Sequence, residues 1–474
     1  MNCTIRTVLL AAAGAAVVTA QQAEAPSIAT KVAAIKHRID SKQIEQTIRT
    51  LVGFGTRHVL SRTDSATEGT AAARQWLQAQ FQTLVAQSGG RLSVALQEAT
   101  VPLARQGLPK EVKVTNVIAT LRGSSDPARH YVIAGHYDSR NSDVADGKRA
   151  APGANDDGSG TAVALAACRA MCTTEFPATL VFCAYDGEEL GLLGSQAHAE
   201  ALAKAEARVD GMITCDIVGN TLGMDGARWD GWLRCFSYAP SGNDSYGRSL
   251  ARACAYAART HVPELPVKLV FRGDRYGRGG DHRPFFDQGF PSLRLTEPRE
   301  DFSRQHQDVR EQDGKPYGDL PDRVDFDYVA RVTAVVVATL GELASAPPPP
   351  TATGARLARD RYDTQLDFHL PDGVVDYEFV WRDTTAADWQ GVVAKDSATI
   401  APGRNGGLVA TLAGVCLDDL VVGVRSIGRD GSRSRVATPP EPDRLQPRRS
   451  DRGSAGERGG AGERGGEPQP ERGR

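Results

Sequence analysis

Cysteine is scarce in this chain, eight residues in 474, and no two form the CxxC pair of a zinc finger. Cys168 and Cys172 stand four apart on an expected helix, a spacing that makes side chains neighbours but rarely suits a disulfide. Removal of Cys3 with a leader leaves an odd number; one disulfide is compatible with an oxidising compartment, and the spacings do not select it. Excess charge is also lacking. Lys plus Arg number 56 against 58 Asp plus Glu, a net charge of -2, so no global field draws the protein to nucleic acid or an anionic membrane. Histidines number only nine. Ser139, Ser159 and Ser195 lie in or near polar motifs, but none stands in the Gly-x-Ser-x-Gly elbow of a serine hydrolase.

Long apolar runs are confined to the beginning. Arg6 is followed by an apolar stretch from Val8 to Ala20, too short to cross a bilayer and suited to a secretory leader. Val18 and Ala20 supply the small residues for cleavage after residue 20, and Ala23-Glu24-Ala25 offers a second point, disfavoured by the following Pro26. No later segment reads as membrane-spanning. The expected location is secreted or periplasmic.

The length calls for two or three units. Ile35, Ile39, Ile44 and Ile48 recur at helical spacing, and Trp76, Phe81 and Leu84 mark a second helical stretch. Strands are expected at Val114 to Leu121, Tyr131 to Gly135, Thr179 to Tyr185, Met212 to Val218 and Ser292 to Thr296, with helices at Thr161 to Met171 and around Leu250 to Ala258. This alternation predicts an α/β fold, a mostly parallel central sheet with helices on both faces. Pro347 to Pro350 then predict a semi-rigid linker over residues 345–353. Beyond it the period becomes two: Tyr377, Phe379 and Trp381 alternate with Glu378, Val380 and Arg382, which predicts a β-sandwich over 354–440 that folds apart from the unit at 26–344. From 441 onward the repeated Ala-Gly-Glu-Arg-Gly-Gly, poor in apolar residues, reads as a disordered tail.

Five short segments hold metal-binding residue types: His136-Tyr137-Asp138-Ser139, Gly153-Ala154-Asn155-Asp156-Asp157-Gly158, Asp186-Gly187-Glu188-Glu189-Leu190-Gly191, Asp216 after Cys215, and Asp281-His282. Singly, each has an ordinary explanation: an N-cap, a turn, or acids at a helix start. Together they supply two histidines and three carboxylates, a set suited to two zinc ions. The expected strands bring them together, because ligand sites in open α/β sheets gather at strand ends.

In these segments the chain resembles the secreted two-zinc aminopeptidases, a family that also includes glutaminyl cyclase relatives, over roughly residues 56–340. The resemblance implies that His136 and Asp216 bind one Zn2+, that Glu189 and His282 bind a second, and that Asp156 bridges them. It further implies hydrolysis of N-terminal peptide bonds by a metal-bridging hydroxide, with Glu188 as general base. Asp138 would accept the other ring N–H of His136 and fix its orientation. Asp157, Asp281, Arg272, Arg275 and Arg278 are neighbours without an assigned role, as are His306 and Asp308 in a segment resembling the family's late histidine loop. Leu190-Gly191-Leu192-Leu193-Gly194-Ser195 favours peptidase over a glutaminyl cyclase, and the intact set speaks against an inactive binding protein. The sandwich resembles a fibronectin type III module, which suggests attachment to a surface or substrate. The expected partners are peptide or protein N-termini, with no nucleic acid and no transmembrane segment.

Overall fold

The computed structural model describes residues 26–441 except 105–106, 240–241, 243 and 359–360. The expected leader, and all of the expected tail but its first residue, lie outside the described residues.

Two helices open the fold, α1 (Ile28–Lys36) and α2 (Ser41–Gly53), where the isoleucine spacing suggests one. The chain breaks between them because the Asp40 side chain accepts from Lys42 N at 2.9 Å and caps a new helix. Next come α3 (Gly69–Gln82), β1 (Leu92–Pro102), β2 (Glu111–Leu121), β3 (Asp126–His136), α4 (Gly158–Met171), β4 (Ala178–Tyr185), α5 (Leu193–Lys204) and β5 (Arg208–Cys215). They are followed by β6 (Leu233–Ser237), α6 (Tyr246–His261), β7 (Val267–Val270), α7 (His282–Asp287) and β8 (Ser292–Thr296).

These eight strands form one sheet in the order β1-β2-β4-β3-β5-β8-β6-β7. Its centre is parallel, through the β4–β3, β3–β5 and β5–β8 pairs. Both faces are covered, as the period-two alternation of β3 shows: Tyr131 and Ile133 enter the core beneath α4 and α8, and Val132 and Ala134 the smaller core beneath α5 and α7. Here α8 (Phe326–Ser345) follows a hairpin of β9 (Arg310–Gln312) and β10 (Lys315–Tyr317). It is long and apolar enough to cross a membrane, contrary to the expectation that no segment after the leader would be. It packs instead as a core helix, with 89% of its apolar window buried.

After the four prolines come β11 (Thr351–Leu357), β12 (Thr364–His369), β13 (Tyr377–Asp383), β14 (Gly391–Ala394), β15 (Thr399–Pro402), β16 (Leu408–Leu412) and β17 (Leu420–Ser426). They form two antiparallel sheets, β11-β12-β16-β15 and β14-β13-β17, around Leu366, Phe368, Phe379, Leu412 and Val424. The alternation in β13 suggests one exposed face, yet Glu378, Val380 and Arg382 are also buried. Their face meets the first unit: Arg382 pairs with Asp244 at 2.6 Å, Arg252 Nε donates to Ala387 O at 2.8 Å, and Ser249 Oγ donates to Val436 O at 2.5 Å. The seven cysteines among the described residues are all free.

Candidate active site and metal centre

The site forms where the parallel strands end. His136 is the last residue of β3, Glu188 and Glu189 follow β4, and Asp216 follows β5. Asp156 and Asp157 immediately precede α4, whose first turn lies unusually close to the sheet. A Cβ on Gly160 would fall 1.9 Å from Cys215 O, and one on Gly135 would fall 2.3 Å from the Gly160 backbone. Only glycine permits that approach, which sets Asp156 beside the ends of β3 and β5.

Six predicted site residues converge. His136 Nε2 lies 3.2 Å from Asp156 Oδ1, 3.8 Å from Asp216 Oδ1 and 4.0 Å from Glu188 Oε2. Glu189 joins through His306, whose Nε2 is 2.9 Å from Asp156 Oδ2 and 3.1 Å from Glu189 Oε2. Asp156 thus stands between two groups of potential ligands. Asp138 does more than expected. Its main-chain O is 3.2 Å and its Oδ1 3.4 Å from His136 Nδ1, and its two carboxylate oxygens accept from the backbone N–H groups of Glu188 (3.1 Å) and Glu189 (3.2 Å), so one residue aligns the histidine and the acidic pair together.

His282 is not brought to the cluster. Its Nε2 meets Gly273 O at 2.8 Å, its ring packs 5.2 Å from Tyr238, and its nearest carboxylate contact is Asp274 at 4.0 Å. The structural reason is its place in the chain. The other motifs follow parallel strands, whereas His282 precedes β8 and starts α7; the residue that follows β8 into the site is His306.

The neighbours sort themselves by their partners. Asp157 accepts from the backbone N–H groups of His136 (3.1 Å), Gly160 (2.8 Å) and Ile217 (3.3 Å), capping α4 and tying it to the ends of β3 and β5. Arg275 and Arg278 both pair with Glu300, Arg272 lies over the Tyr276 ring, and Asp308 pairs with Arg149. Asp281 is fully buried, and neither carboxylate oxygen has a hydrogen-bond partner. Composition and spacing gave no sign of Arg140, Arg294, Gln305 or Asp319. Arg140 Nε donates to Glu189 Oε2 at 2.9 Å, Arg294 Nη2 pairs with Asp216 Oδ2 at 2.9 Å, and Gln305 Nε2 donates to Asp156 Oδ2 at 2.9 Å. Asp319 accepts from Asp156 N at 2.7 Å.

Three buried atoms of this cluster have no hydrogen-bond partner: His136 Nε2, Asp216 Oδ1 and Glu189 Oε1. Unpaired buried polar atoms are costly, and donors of this chemistry, gathered in two groups that could each hold a metal ion, fit cations. The electrostatics agree. Burial raises the Glu188 pKa well above its ordinary value, and Asp216, Asp281 and Glu189 add to the rise against His136. Burial opposes a charge on His306, but Glu189 and Asp156 carry its pKa up to about 10. The His306 shift marks a negative cluster that attracts positive charge. Beside it opens a cavity of about 320 Å3, lined by Arg140, Ser142, Val144 and the Glu188 to Gly191 turn.

The geometry defines an α/β protein with a histidine- and carboxylate-lined cation site at its strand ends. The model of peptidase family M28 matches residues 116–336. A probable zinc metalloprotease of Leptosphaeria maculans is 39% identical over 432 residues, covering 87% of this chain and 98% of that protein. Another, from Pyrenophora tritici-repentis, is 37% identical over 426 residues, 86% of each chain. The chain belongs to peptidase family M28 and is a hydrolase of peptide bonds. Among solved structures, the Legionella pneumophila LapA aminopeptidase is similar in fold, with a TM-score of 0.51 at 22% identity, covering 69% of this chain and 78% of that one.

Proposed function

We propose that the protein is an exported, zinc-dependent aminopeptidase. The observation that carries the reading is the convergence of His136, Asp156, Glu189, Asp216 and His306, with three unpaired buried atoms among them and Glu188 on the adjoining cavity. His136 and Asp216 would hold one zinc ion, Glu189 and His306 a second, and Asp156 would serve both. Zinc supplies Lewis acidity toward the scissile carbonyl and lowers the pKa of water toward ~7. Glu188 takes a proton from the attacking water and delivers it to the amine nitrogen that leaves. Burial and the neighbouring carboxylates raise the Glu188 pKa, and cations held beside it would lower it again, toward a group able to make both transfers. Asp138 keeps Glu188 and His136 in register through the bonds described above. Export rests on the N-terminal apolar stretch, and attachment through the C-terminal sandwich on its resemblance to adhesive modules.

The test is a metal count on the purified protein with a panel of aminoacyl chromogenic substrates. Close to two zinc ions per chain, activity lost on chelation and restored by zinc, and cleavage of free N-terminal residues are expected. One zinc with cyclisation of N-terminal glutamine would replace this reading with a glutaminyl cyclase.

A further inference from the structure

His306 enters the site from a loop, with no helix or strand to carry it. It lies between β8 and the exposed hairpin of β9 and β10, and its φ of 56° is in the left-handed region, which a residue with a Cβ adopts at a cost that its surroundings must offset. The ring's own contacts, with Asp156, Glu189 and Arg140, change when a cation enters. The neighbouring Gln305 is no more independent, because its bond ends on the same Asp156 oxygen. A hold on the backbone that survives metal entry has to come from outside the seat.

Asp308 has that place. Two residues past His306, its Oδ1 accepts from Ser142 N at 3.2 Å and from Ser142 Oγ at 2.9 Å, and its Oδ2 accepts from Arg149 Nη1 at 2.7 Å. The loop at 140–149 that receives it is braced separately. Asn141 Nδ2 donates to Asp146 O at 3.0 Å, Asp146 Oδ1 accepts from the N–H groups of Lys148 (2.7 Å) and Arg149 (3.1 Å), and His58 Nε2 meets Val144 O at 3.0 Å. None of these groups belongs to the proposed ligand set. Ser142 and Val144 also line the cavity beside Glu188, so one clasp ties the His306 turn to the cavity wall. On the two-zinc reading above, we infer that Asp308 is a positioning residue: it clasps the turn that carries His306 to the 140–149 loop and so holds the imidazole at the second metal seat. A ligand already oriented loses less freedom on binding, and groups one step behind a ligand govern metal affinity by roughly 10- to 100-fold. The clasp itself is exposed, with 31% of the Asp308 and 49% of the Arg149 side chain open to solvent, so it adds little to the stability of the fold. Its effect falls on the seat.

The experiment is stepwise zinc removal by a competing chelator from the wild type, Asp308→Ala and Asp308→Asn, with thermal unfolding of the metal-free forms. Wild type is expected to hold two ions. Asp308→Ala is expected to loosen one of them roughly tenfold and leave the other, with the metal-free midpoint within about 2 °C of the wild type. Asp308→Asn keeps an acceptor for Ser142 but not the charge for Arg149, and should fall between. In a His306→Ala background, where the seat has lost its ligand, Asp308→Ala should add no further loss, so that the remaining ion is held equally with and without it. Two ions held as tightly by Asp308→Ala as by the wild type would overturn the inference, and so would equal loosening of both ions with a lowered midpoint, which marks a merely structural role. A wild type that takes up one ion would instead defeat the two-zinc reading. If Asp308→Ala does not fold, Arg149→Met, at a half-exposed residue outside the seat, breaks the Oδ2 half of the clasp and carries the test.

Discussion

At the scale of single residues, adjacent and similar side chains have different work. Glu188 and Glu189 are held by the same Asp138 carboxylate and line the same cavity, yet Glu189 meets His306 at 3.1 Å while Glu188 stands 4.0 Å from His136 Nε2. Glu188→Gln keeps its shape but cannot take a proton, so turnover should fall on the order of 100- to 10,000-fold while both metals stay bound. Glu189→Gln should lose one. The histidines divide in the same way: His306→Ala should cost one zinc and nearly all activity, whereas His282→Ala should leave the zinc count intact. Zinc content and turnover of the four variants check this. Retention of both ions by His306→Ala together with loss from His282→Ala would restore the ligand set read from the sequence. That reading failed here for a definite reason. Asp-His before an apolar strand matched a motif, but motif matching does not say which end of the strand faces the site.

Among the elements, the sheet was legible because its central strands are buried on both faces. Val132 to Gly135 and Leu180 to Tyr185 are apolar runs bounded by polar loops, and the Ser292 to Thr296 strand has the ends expected of it. Less legible were β1, half exposed and antiparallel, and the split between α1 and α2, which depends on one aspartate cap. Nor does residue type reveal how closely elements approach. Gly160 looks like a flexible residue after Ser159, but its missing side chain lets α4 touch the carbonyl that ends β5. Gly160→Ala should therefore push α4 from the sheet, lowering stability by about 1–3 kcal/mol and separating Asp156 from Asp216. A fall in unfolding midpoint together with reduced zinc content is the expected result. A variant of wild-type stability and zinc content would mean that the sheet yields at little cost.

For the whole molecule, the change of period after Pro350 marked the second unit, but periodicity cannot show what a face is buried against. A separable sandwich would expose the Glu378, Val380 and Arg382 face. In the structure that face is buried, and the contacts of the sandwich as a whole extend from one end of the first unit to the other. Asp430 O accepts from Ile28 N at 2.8 Å at the start of α1, and Glu342 near the end of α8 accepts from Arg433 N at 2.9 Å and lies 3.0 Å from His261. Arg425 and Arg433 lie over the Tyr256 ring of α6, and Arg252 over Trp389. None of these residues belongs to the proposed metal cluster. A chain ending at Ala346 should therefore keep its turnover per folded molecule on a small chromogenic substrate but lose stability, because the faces of α1, α6 and α8 are returned to water. The midpoint should drop by at least about 5 °C, the scale of a loss of roughly 2 kcal/mol in a domain of this size. Arg382→Leu in the full chain removes the 2.6 Å pair to Asp244, which is left with Arg252 at 3.5 Å, and should reproduce part of that drop without removing any of the sandwich. Thermal unfolding of both forms decides the matter: an unchanged midpoint in the truncated chain would show that the two units fold independently and that their contacts add nothing.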